Sequence, residues 1–180
     1  MFSNLKSGGG CRLSTAKVSH LSGVRGWLYH SRMSADPEII VRRAAPNDRD
    51  VVYQLAKELA TSFDLSQTMF AESFSALTSD PNALLLVAIE EQSDELIAYL
   101  LGFRHQTFFA DGPVGWVEEV HTRSDRRRSG VAGALMLEFE RWAWESEARM
   151  VGLATRRARA FYEAIGYEES AVYFRKLAPD

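Results

Sequence analysis

Residues 114–139 read VGWVEEVHTRSDRRRSGVAGALMLEF, and this stretch decides the fold. Its first part carries a run of apolar side chains that predicts a β-strand, namely Val114, Trp116, Val117 and Val120. Its last part repeats apolar residues at the spacing of one helix face, through Val131, Leu135, Phe139 and, just beyond, Trp142. A basic turn with two glycines joins the strand to the helix.

The turn has the composition of an anion-binding loop. Arg126, Arg127 and Arg128 supply positive charge, although three arginines alone are also typical of a solvated turn. Gly130 and Gly133 leave the start of the helix without side chains that would block an approaching oxyanion. A helix N-terminus has unpaired N–H groups and about half a unit of positive charge, so it binds phosphate well. The sequence therefore predicts a pyrophosphate socket.

Two motifs resemble those of one enzyme family. The turn is neither a Walker A loop, GxxxxGK[ST], nor a GxGxxG dinucleotide loop. Its pattern Arg127-x-x-Gly130-x-Ala132 resembles the [Q/R]-x-x-G-x-[G/A] signature of the GNAT family of N-acetyltransferases. Residues 158–167, ARAFYEAIGY, resemble the end of that family's N-x-x-A-x-x-F-Y-x-x-x-G-[F/Y] segment. The chain departs from it at Thr155, where the family usually has asparagine.

The resemblance implies acetyl-CoA as the co-substrate and no metal. In the family, the loop backbone binds the pyrophosphate, and the strand before it pairs with the pantetheine arm. Arg126 or Arg128 would meet the 3′-phosphate. The residues that the resemblance assigns to acetyl-CoA are Val120, His121, Thr122, Arg127, Arg128, Ser129, Gly130, Val131, Ala132, Gly133 and Thr155.

Two side chains are predicted to carry the chemistry. The match of Tyr162 to the motif tyrosine implies that its phenol, with an ordinary pKa near 10, donates a proton to the leaving thiolate. Glu118 is expected to be the base that deprotonates the amine, with His121 as the alternative. Strand alternation sends Glu118 and Glu119 to opposite faces, so at most one of them should face the acceptor directly.

The acceptor is expected to be a primary amine of a small molecule or a peptide. The residues predicted to contact it are Phe63, Trp116 and Glu119. Acidic side chains near the predicted site, among them Asp64, favour a cationic amine. The single cysteine, Cys11, lies outside the resemblance, so direct attack in a ternary complex is favoured over an acyl-enzyme.

The composition and charge of the chain limit the other classes of protein to which it could belong. A chain of 180 residues with 46% hydrophobic residues is long enough for one well-packed core. The formal net charge of −3 argues against a nucleic-acid surface, and no apolar run is long enough to cross a bilayer. We expect a cytoplasmic protein with neither nucleic-acid nor membrane partners. A homodimer is compatible with the sequence.

Residues 1–35 differ from the rest, because they are basic and contain no acidic residue. We expect an N-terminal extension outside the domain, either a disordered tail or translated sequence ahead of a start at Met33; a transit peptide is the less favoured alternative. Residues 36–180 are then the acetyltransferase domain.

The order of predicted elements in that domain is β-α-α-β-β-β-α-β-α-β, with the last strand at residues 171–177. This order also resembles the GNAT, or acyl-CoA N-acyltransferase, architecture. The fold class is therefore α/β, with a mixed, mostly antiparallel central sheet flanked by helices.

The leading hypothesis is an acetyl-CoA-dependent N-acetyltransferase. A catalytically inactive acyl-CoA-binding sensor on the same fold is the main alternative, because a fold does not by itself secure activity. A nucleic-acid-binding module that uses the three arginines is the third hypothesis, and the acidic domain gives it little support.

Overall fold

The computed structural model describes residues 38–60 and 62–178, together with two strands nearer the N-terminus. Seven strands in this part of the chain form one sheet whose spatial order follows the sequence. They are β1 (Val18–His20), β2 (Gly26–Tyr29), β3 (Ile39–Arg43), β4 (Ala83–Glu90), β5 (Glu95–Thr107), β6 (Gly112–Thr122) and β7 (Val151–Leu153). Neighbouring strands are antiparallel except β6 and β7, which are parallel. The predicted mixed, mostly antiparallel α/β class is confirmed.

Four helices in the described residues flank the sheet. They are α1 (Arg49–Leu59), α2 (Gln67–Ser79), α3 (Val131–Glu145) and α4 (Arg159–Ala164). The side chain of Ser66 caps α2 by accepting a hydrogen bond from the N–H of Met69. α1 and α2 pack on one face of the sheet and α3 on the other, which gives two apolar clusters.

β4 separates these two clusters and is buried along its whole length. Leu84, Leu86 and Ala88 pack in the cluster that contains α3. Leu85 and Val87 alternate with them and pack in the cluster of α1 and α2. A strand covered on both faces needs a continuous apolar run rather than an alternating one, and the sequence of β4 provides it.

The register between β5 and β6 changes in the second half of β6. Leu101 pairs with Glu119, but Gly102 pairs with Val117, so Glu118 is an extra residue on β6. Such a β-bulge bends the strand and increases its local twist. On its other side, β6 pairs with β7 only from Gly115 to Val117. The two strands therefore separate just where the bulge begins.

The predicted final strand at residues 171–177 is wrong. This segment lies outside every strand, with Val172 78% and Phe174 87% exposed. Its side chains favour a strand, but a strand also requires a hydrogen-bonded neighbour. In the described part of the chain, none of its backbone groups pairs with another strand.

The predicted extension, residues 1–35, lies mostly outside the described residues. Two short pieces of it are described, and their backbones pair with the domain sheet as β1 and β2, next to β3. The boundary at residue 36 stays a prediction. No helix among the described residues is both long enough and apolar enough to span a bilayer.

Gly102 provides a test of how tightly α3 packs on the sheet. A Cβ atom at this position would lie 2.9 Å from the carbonyl oxygen of Trp116 and closer still to the ring of Phe139, which is fully buried. We expect Gly102→Ala to lower the free energy of unfolding by about 1–3 kcal/mol, the usual effect of overpacking. Urea denaturation measures this change.

Two further variants control that experiment. Gly133→Ala adds the same methyl group where no heavy atom of the residues that the structure describes lies within 4 Å, so it should not destabilise the protein. Phe139→Leu combined with Gly102→Ala should show a coupling, because the smaller side chain relieves part of the clash. Equal stability of Gly102→Ala and the wild type would mean that the glycine does not set the spacing of α3.

Candidate active site

A cleft of about 830 Å³ opens where β6 and β7 separate. The last residues of β6 and the loops that follow β6 and β7 form its walls, and the ends of α1, α3 and α4 close it. The lining residues are Glu58, Leu59, Val117, Glu118, Glu119, Val120, His121, Thr122, Arg126, Arg127, Arg128, Gly130, Val131, Ala132, Gly133, Leu153, Ala154, Thr155, Arg156, Arg157, Ala158, Phe161 and Tyr162. This set contains most of the residues predicted from the sequence.

The N-terminus of α3 faces the cleft, and no side chain in the described part of the protein caps its first turn. Gly130 precedes the helix at φ 79°, a left-handed conformation that favours glycine. A Cβ atom at Gly130 or at Gly133 would meet no heavy atom of the described residues within 4 Å, so the space above both glycines is open to them. The backbone amides of this turn can therefore reach an anion in the cleft.

The three arginines of the loop differ in what they bind. Nε of Arg126 donates a hydrogen bond to Glu90 over 2.9 Å, and its guanidinium also pairs with Asp125. The hydrogen bond from Arg126 lowers the pKa of Glu90. Nε of Arg127 donates to the carbonyl oxygen of Thr122, whereas Arg128 makes no ion pair with any described residue. Of the two predicted 3′-phosphate ligands, Arg126 is thus already engaged.

Ser129 is the one predicted cofactor residue that does not line the cleft. Its hydroxyl donates a hydrogen bond of 2.6 Å to the carbonyl oxygen of Arg126. This bond stabilises the turn that precedes Gly130. Ser129 therefore shapes the loop rather than facing the cleft. The other ten predicted residues, from Val120 through Thr155, all contribute to the wall.

Tyr162 projects from α4 into the cleft wall. Its ring packs edge-on against Phe161 and Tyr167, at centroid distances of 4.9 Å and 5.8 Å. Burial raises the pKa of Tyr162, so the phenol keeps its proton at neutral pH. The hydroxyl makes no hydrogen bond with any described residue, which leaves the proton available to a group in the cleft.

Glu118 and Glu119 both line the cleft, each held by a different donor. Nε1 of Trp116 donates to Glu118 over 3.0 Å, and the hydroxyl of Tyr99 donates to Glu119 over 2.7 Å. The bulge at Glu118 interrupts the strict alternation that was assumed for these two residues, and both line the cleft. That at most one of them faces the acceptor directly stays a prediction.

The structure does not bring Phe63 or Trp116 to the cleft wall. Phe63 lies in the connection between α1 and α2 and is 65% exposed. Trp116 packs beside Gly152 on β7 and reaches the site only through its hydrogen bond to Glu118. Of the three predicted acceptor contacts, Glu119 alone lies in the wall.

Sequence reasoning missed Glu58, which lies at the end of α1 and lines the cleft. Its carboxylate is 3.0 Å from Nε2 of His121, whose side chain is only 5% exposed. The two residues are far apart in the chain, and no local pattern links them. His121 therefore has a carboxylate partner in the cleft wall that its sequence context did not indicate.

The sequence also gave no role to Arg156 and Arg157, which line the cleft after β7. Their signal was visible as two adjacent basic residues directly after Thr155. They join a cleft whose charges are divided between arginines around α3 and α4 and carboxylates at Glu58, Glu118 and Glu119. No group of three or more potential metal ligands occurs among the described residues.

The model of the acetyltransferase (GNAT) family matches residues 49–167, which include both sequence motifs and the whole cleft wall. The chain belongs to the GNAT family. The predicted resemblance is thereby confirmed, and with it the assignment to an acetyltransferase family in general. The match begins at α1 and ends at Tyr167, just after α4.

Solved GNAT-type structures share the fold at low sequence identity. Glucosamine-6-phosphate N-acetyltransferase from Arabidopsis thaliana has a TM-score of 0.69 at 18% identity, over 77% of this chain and 97% of that one. A putative acetyltransferase from Agrobacterium tumefaciens str. C58 has a TM-score of 0.69 at 23% identity, over 77% and 99%. Aminoglycoside N-acetyltransferase AAC(6')-Iy, in complex with CoA, has 0.68 at 15%, over 81% and 99%. No curated protein matches the sequence significantly.

One departure from the GNAT pattern is visible in the site. Thr155 lies in the cleft wall at the position where the family motif usually has asparagine. Its hydroxyl accepts a hydrogen bond from the N–H of Ala158 over 3.1 Å. The threonine thus supports the turn into α4, as well as presenting a polar group to the cleft.

The Tyr99–Glu119 hydrogen bond predicts a pH dependence of stability. Burial, together with the neighbouring Glu119 carboxylate, raises the pKa of Tyr99 well above its ordinary value. The folded protein keeps this proton after the unfolded chain has lost it, so the free energy of unfolding should fall as pH rises above about 10. Urea unfolding between pH 8 and pH 11 measures the fall.

Tyr99→Phe should reduce that slope by up to about 1.4 kcal/mol per pH unit, because it removes the titrating group. Near pH 7 the same variant should lose about 1 kcal/mol through the missing hydrogen bond. Identical slopes above pH 10 in the variant and the wild type would show that Tyr99 does not hold its proton in the folded state.

Proposed function

We propose that the chain is an acetyl-CoA-dependent N-acetyltransferase that transfers an acetyl group to a primary amine of a small molecule or a peptide. The observation that carries the proposal is one cleft in which the open N-terminus of α3, Tyr162 and the carboxylates of β6 all face the same space. Membership of the GNAT family supports it independently.

The anion-binding half of the cleft suits the phosphates of CoA. The amides at the start of α3 are uncapped, and Arg127 and Arg128 lie at their mouth. Charge-assisted hydrogen bonds from guanidinium groups are among the strongest available to a phosphate. The free side of β6 beyond Val117 is proposed to pair with the pantetheine arm, because β7 no longer occupies it there.

In the proposed reaction, the amine nitrogen attacks the carbonyl carbon of the thioester. Glu118 takes a proton from the ammonium, directly or through water, so that a lone pair is free for attack. A backbone N–H near Val120 donates to the oxyanion of the tetrahedral intermediate. The carbonyl re-forms as the C–S bond breaks, and the thiolate takes the proton of the Tyr162 hydroxyl to give CoA. The acylated nitrogen loses its extra proton, which returns through water to the Tyr162 phenolate, and Glu118 releases its own proton to solvent, so that the N-acetylated amine and the starting form of the enzyme remain.

Direct attack in a ternary complex is proposed, because Cys11 is the only cysteine of the chain and lies outside the family match. An acyl-enzyme would need a nucleophile beside the thioester.

The acceptor is proposed to be a cationic amine, since Glu58, Glu118 and Glu119 line its side of the cleft. Acetylation of amines is named for two of the structures with this fold, which act on glucosamine-6-phosphate and on aminoglycosides.

A non-catalytic acyl-CoA sensor is the second candidate. The same open helix N-terminus would bind CoA without any turnover. A screen of amines that monitors thiol release by absorbance and products by mass spectrometry separates the two, since a sensor binds CoA and releases no thiol. The cytoplasmic location, the homodimer and the absence of nucleic-acid or membrane partners stay predictions.

The glycines at the start of α3 test the pyrophosphate site. Gly130→Asp should abolish CoA binding, because it places a carboxylate where phosphate oxygens would lie. Gly133→Ala should weaken binding by about tenfold or more, although alanine favours a helix over glycine by up to about 1 kcal/mol. Isothermal titration with CoA measures affinity, and urea denaturation measures stability in parallel. CoA affinity retained in both variants would contradict the site.

Tyr162→Phe tests the proposed acid. Loss of the hydroxyl should lower kcat by about 100-fold or more with little change in KM, because the proton is needed only as the thiolate leaves. Tyr173→Phe removes a hydroxyl from an exposed tyrosine outside the cleft and should leave kcat unchanged.

Glu118→Gln tests the proposed base. The amide cannot take the proton of the ammonium, so the rate should fall at neutral pH and recover in part at high pH, where more of the amine is already neutral. A pH profile of kcat/KM measures this recovery. An unaltered profile would transfer the role of base to His121 and Glu58.

A further inference from the structure

Two pairs of arginines line the cleft without an ion-pair partner among the described residues. Arg127 and Arg128 lie in the loop between β6 and α3, and Arg156 and Arg157 lie in the loop between β7 and α4. All four are exposed. By contrast, the arginines that lie close to these two pairs in the sequence do form ion pairs with carboxylates. Arg126 pairs with Glu90 and Asp125, and Arg159 pairs with Glu163 and Glu169.

These four guanidinium groups, which have no carboxylate partner in the part of the chain that the structure describes, repel one another around the cleft. The chain as a whole is acidic, with a formal net charge of −3, and so has carboxylates available to neutralise them. A planar guanidinium also matches a phosphate group through two parallel hydrogen bonds. The arrangement therefore favours an anionic ligand that contacts both loops.

In the proposed function, the loop between β6 and α3 binds one anionic part of CoA, the pyrophosphate, at the amides of α3. Arg156 and Arg157 follow the other strand, on the far side of the gap between β6 and β7. CoA carries one further anionic group, the phosphomonoester on its ribose. Such a group bears a charge of about −1.5 to −2 near pH 7.

We propose that Arg156 and Arg157 form a second phosphate subsite, which binds the 3′-phosphomonoester of CoA. Glu90 engages Arg126, and Arg127 and Arg128 are assigned to the pyrophosphate at the amides of α3. Arg156 and Arg157 are then the arginines of the cleft wall that are left for the 3′-phosphate. The inference rests on the proposed function and extends it to the choice of donor. The subsite selects a free acyl-CoA over a thioester of protein-bound phosphopantetheine, which lacks the adenosine 3′-phosphate.

The test compares CoA with 3′-dephospho-CoA on the wild type and on Arg156→Ala, Arg157→Ala and the double variant. Isothermal titration at one fixed salt concentration gives each Kd. The wild type should bind CoA about tenfold or more tightly than dephospho-CoA. The double variant should lose most of this preference, through weaker CoA binding and a nearly unchanged affinity for dephospho-CoA.

Arg149→Ala is the matched control. Arg149 is also an exposed arginine without an ion pair among the described residues, but it lies at the opposite end of β6, where its backbone N–H donates to Pro113. Its removal changes the net charge by the same amount as either single variant and should alter neither Kd. The preference of the wild type should also shrink as pH falls through about 6, where the phosphomonoester gains a proton.

Each other outcome has a defined meaning. Equal weakening of both ligands in the double variant would place these arginines at the pyrophosphate and overturn the inference. Equal affinities of the wild type for CoA and dephospho-CoA would overturn it as well, while leaving the proposed function intact. If the wild type bound neither ligand, the proposed function would fail, and the inference with it.

Discussion

The site depends on a parallel pairing between β6 and β7 that involves only residues 115–117 of β6. At the paired end, two glycines let the chain pack closely. A Cβ atom at Gly115 would lie 3.1 Å from that of Ala143, and one at Gly152 would lie 3.3 Å from the ring of Trp116. Beyond Val117 the bulge at Glu118 bends β6 away. The sheet is thus closed at one end and open at the other, and the cleft occupies the opening.

The charges of the cleft follow from this geometry. The loops after the two diverging strands carry the arginines, because both strands run in the same direction and end at the same side. The carboxylates lie on β6 itself and on the end of α1. This separation of positive and negative side chains would place an anionic acyl donor at one end of the cleft and a cationic acceptor at the other. Tyr162 lies in the wall of the same cleft.

Local patterns were sufficient to predict the elements that enclose the cleft. The apolar spacing of α3 and the continuous apolar run of β4 depend on neighbouring residues, and both elements formed as predicted. The pairing of Glu58 with His121 and that of Arg126 with Glu90 join residues distant in the chain, so no window of sequence shows them. The same limit applies to residues 171–177, whose strand-forming side chains lack a neighbour to pair with.

The bulge at Glu118 shows a second limit of prediction from the sequence. A period of two placed Glu118 and Glu119 on opposite faces, and that rule holds only while each residue has one partner on the adjacent strand. One extra residue on β6 breaks it, although nothing in the letters VEEV indicates where the extra residue lies. The side-chain donors Trp116 and Tyr99, which orient the two carboxylates, could therefore be recognised only in three dimensions.

The uncapped first turn of α3 has a consequence for the lifetime of the protein. A helix can satisfy one of its first amides with the side chain of the residue before it, whereas here that residue is Gly130, which has no side chain. An anion held there would complete the helix from outside, and by mass action each tenfold rise in its concentration above Kd would add about 1.4 kcal/mol to the free energy of unfolding. Resistance to heat and to proteases would then rise and fall with the supply of that metabolite, even in the absence of any acceptor.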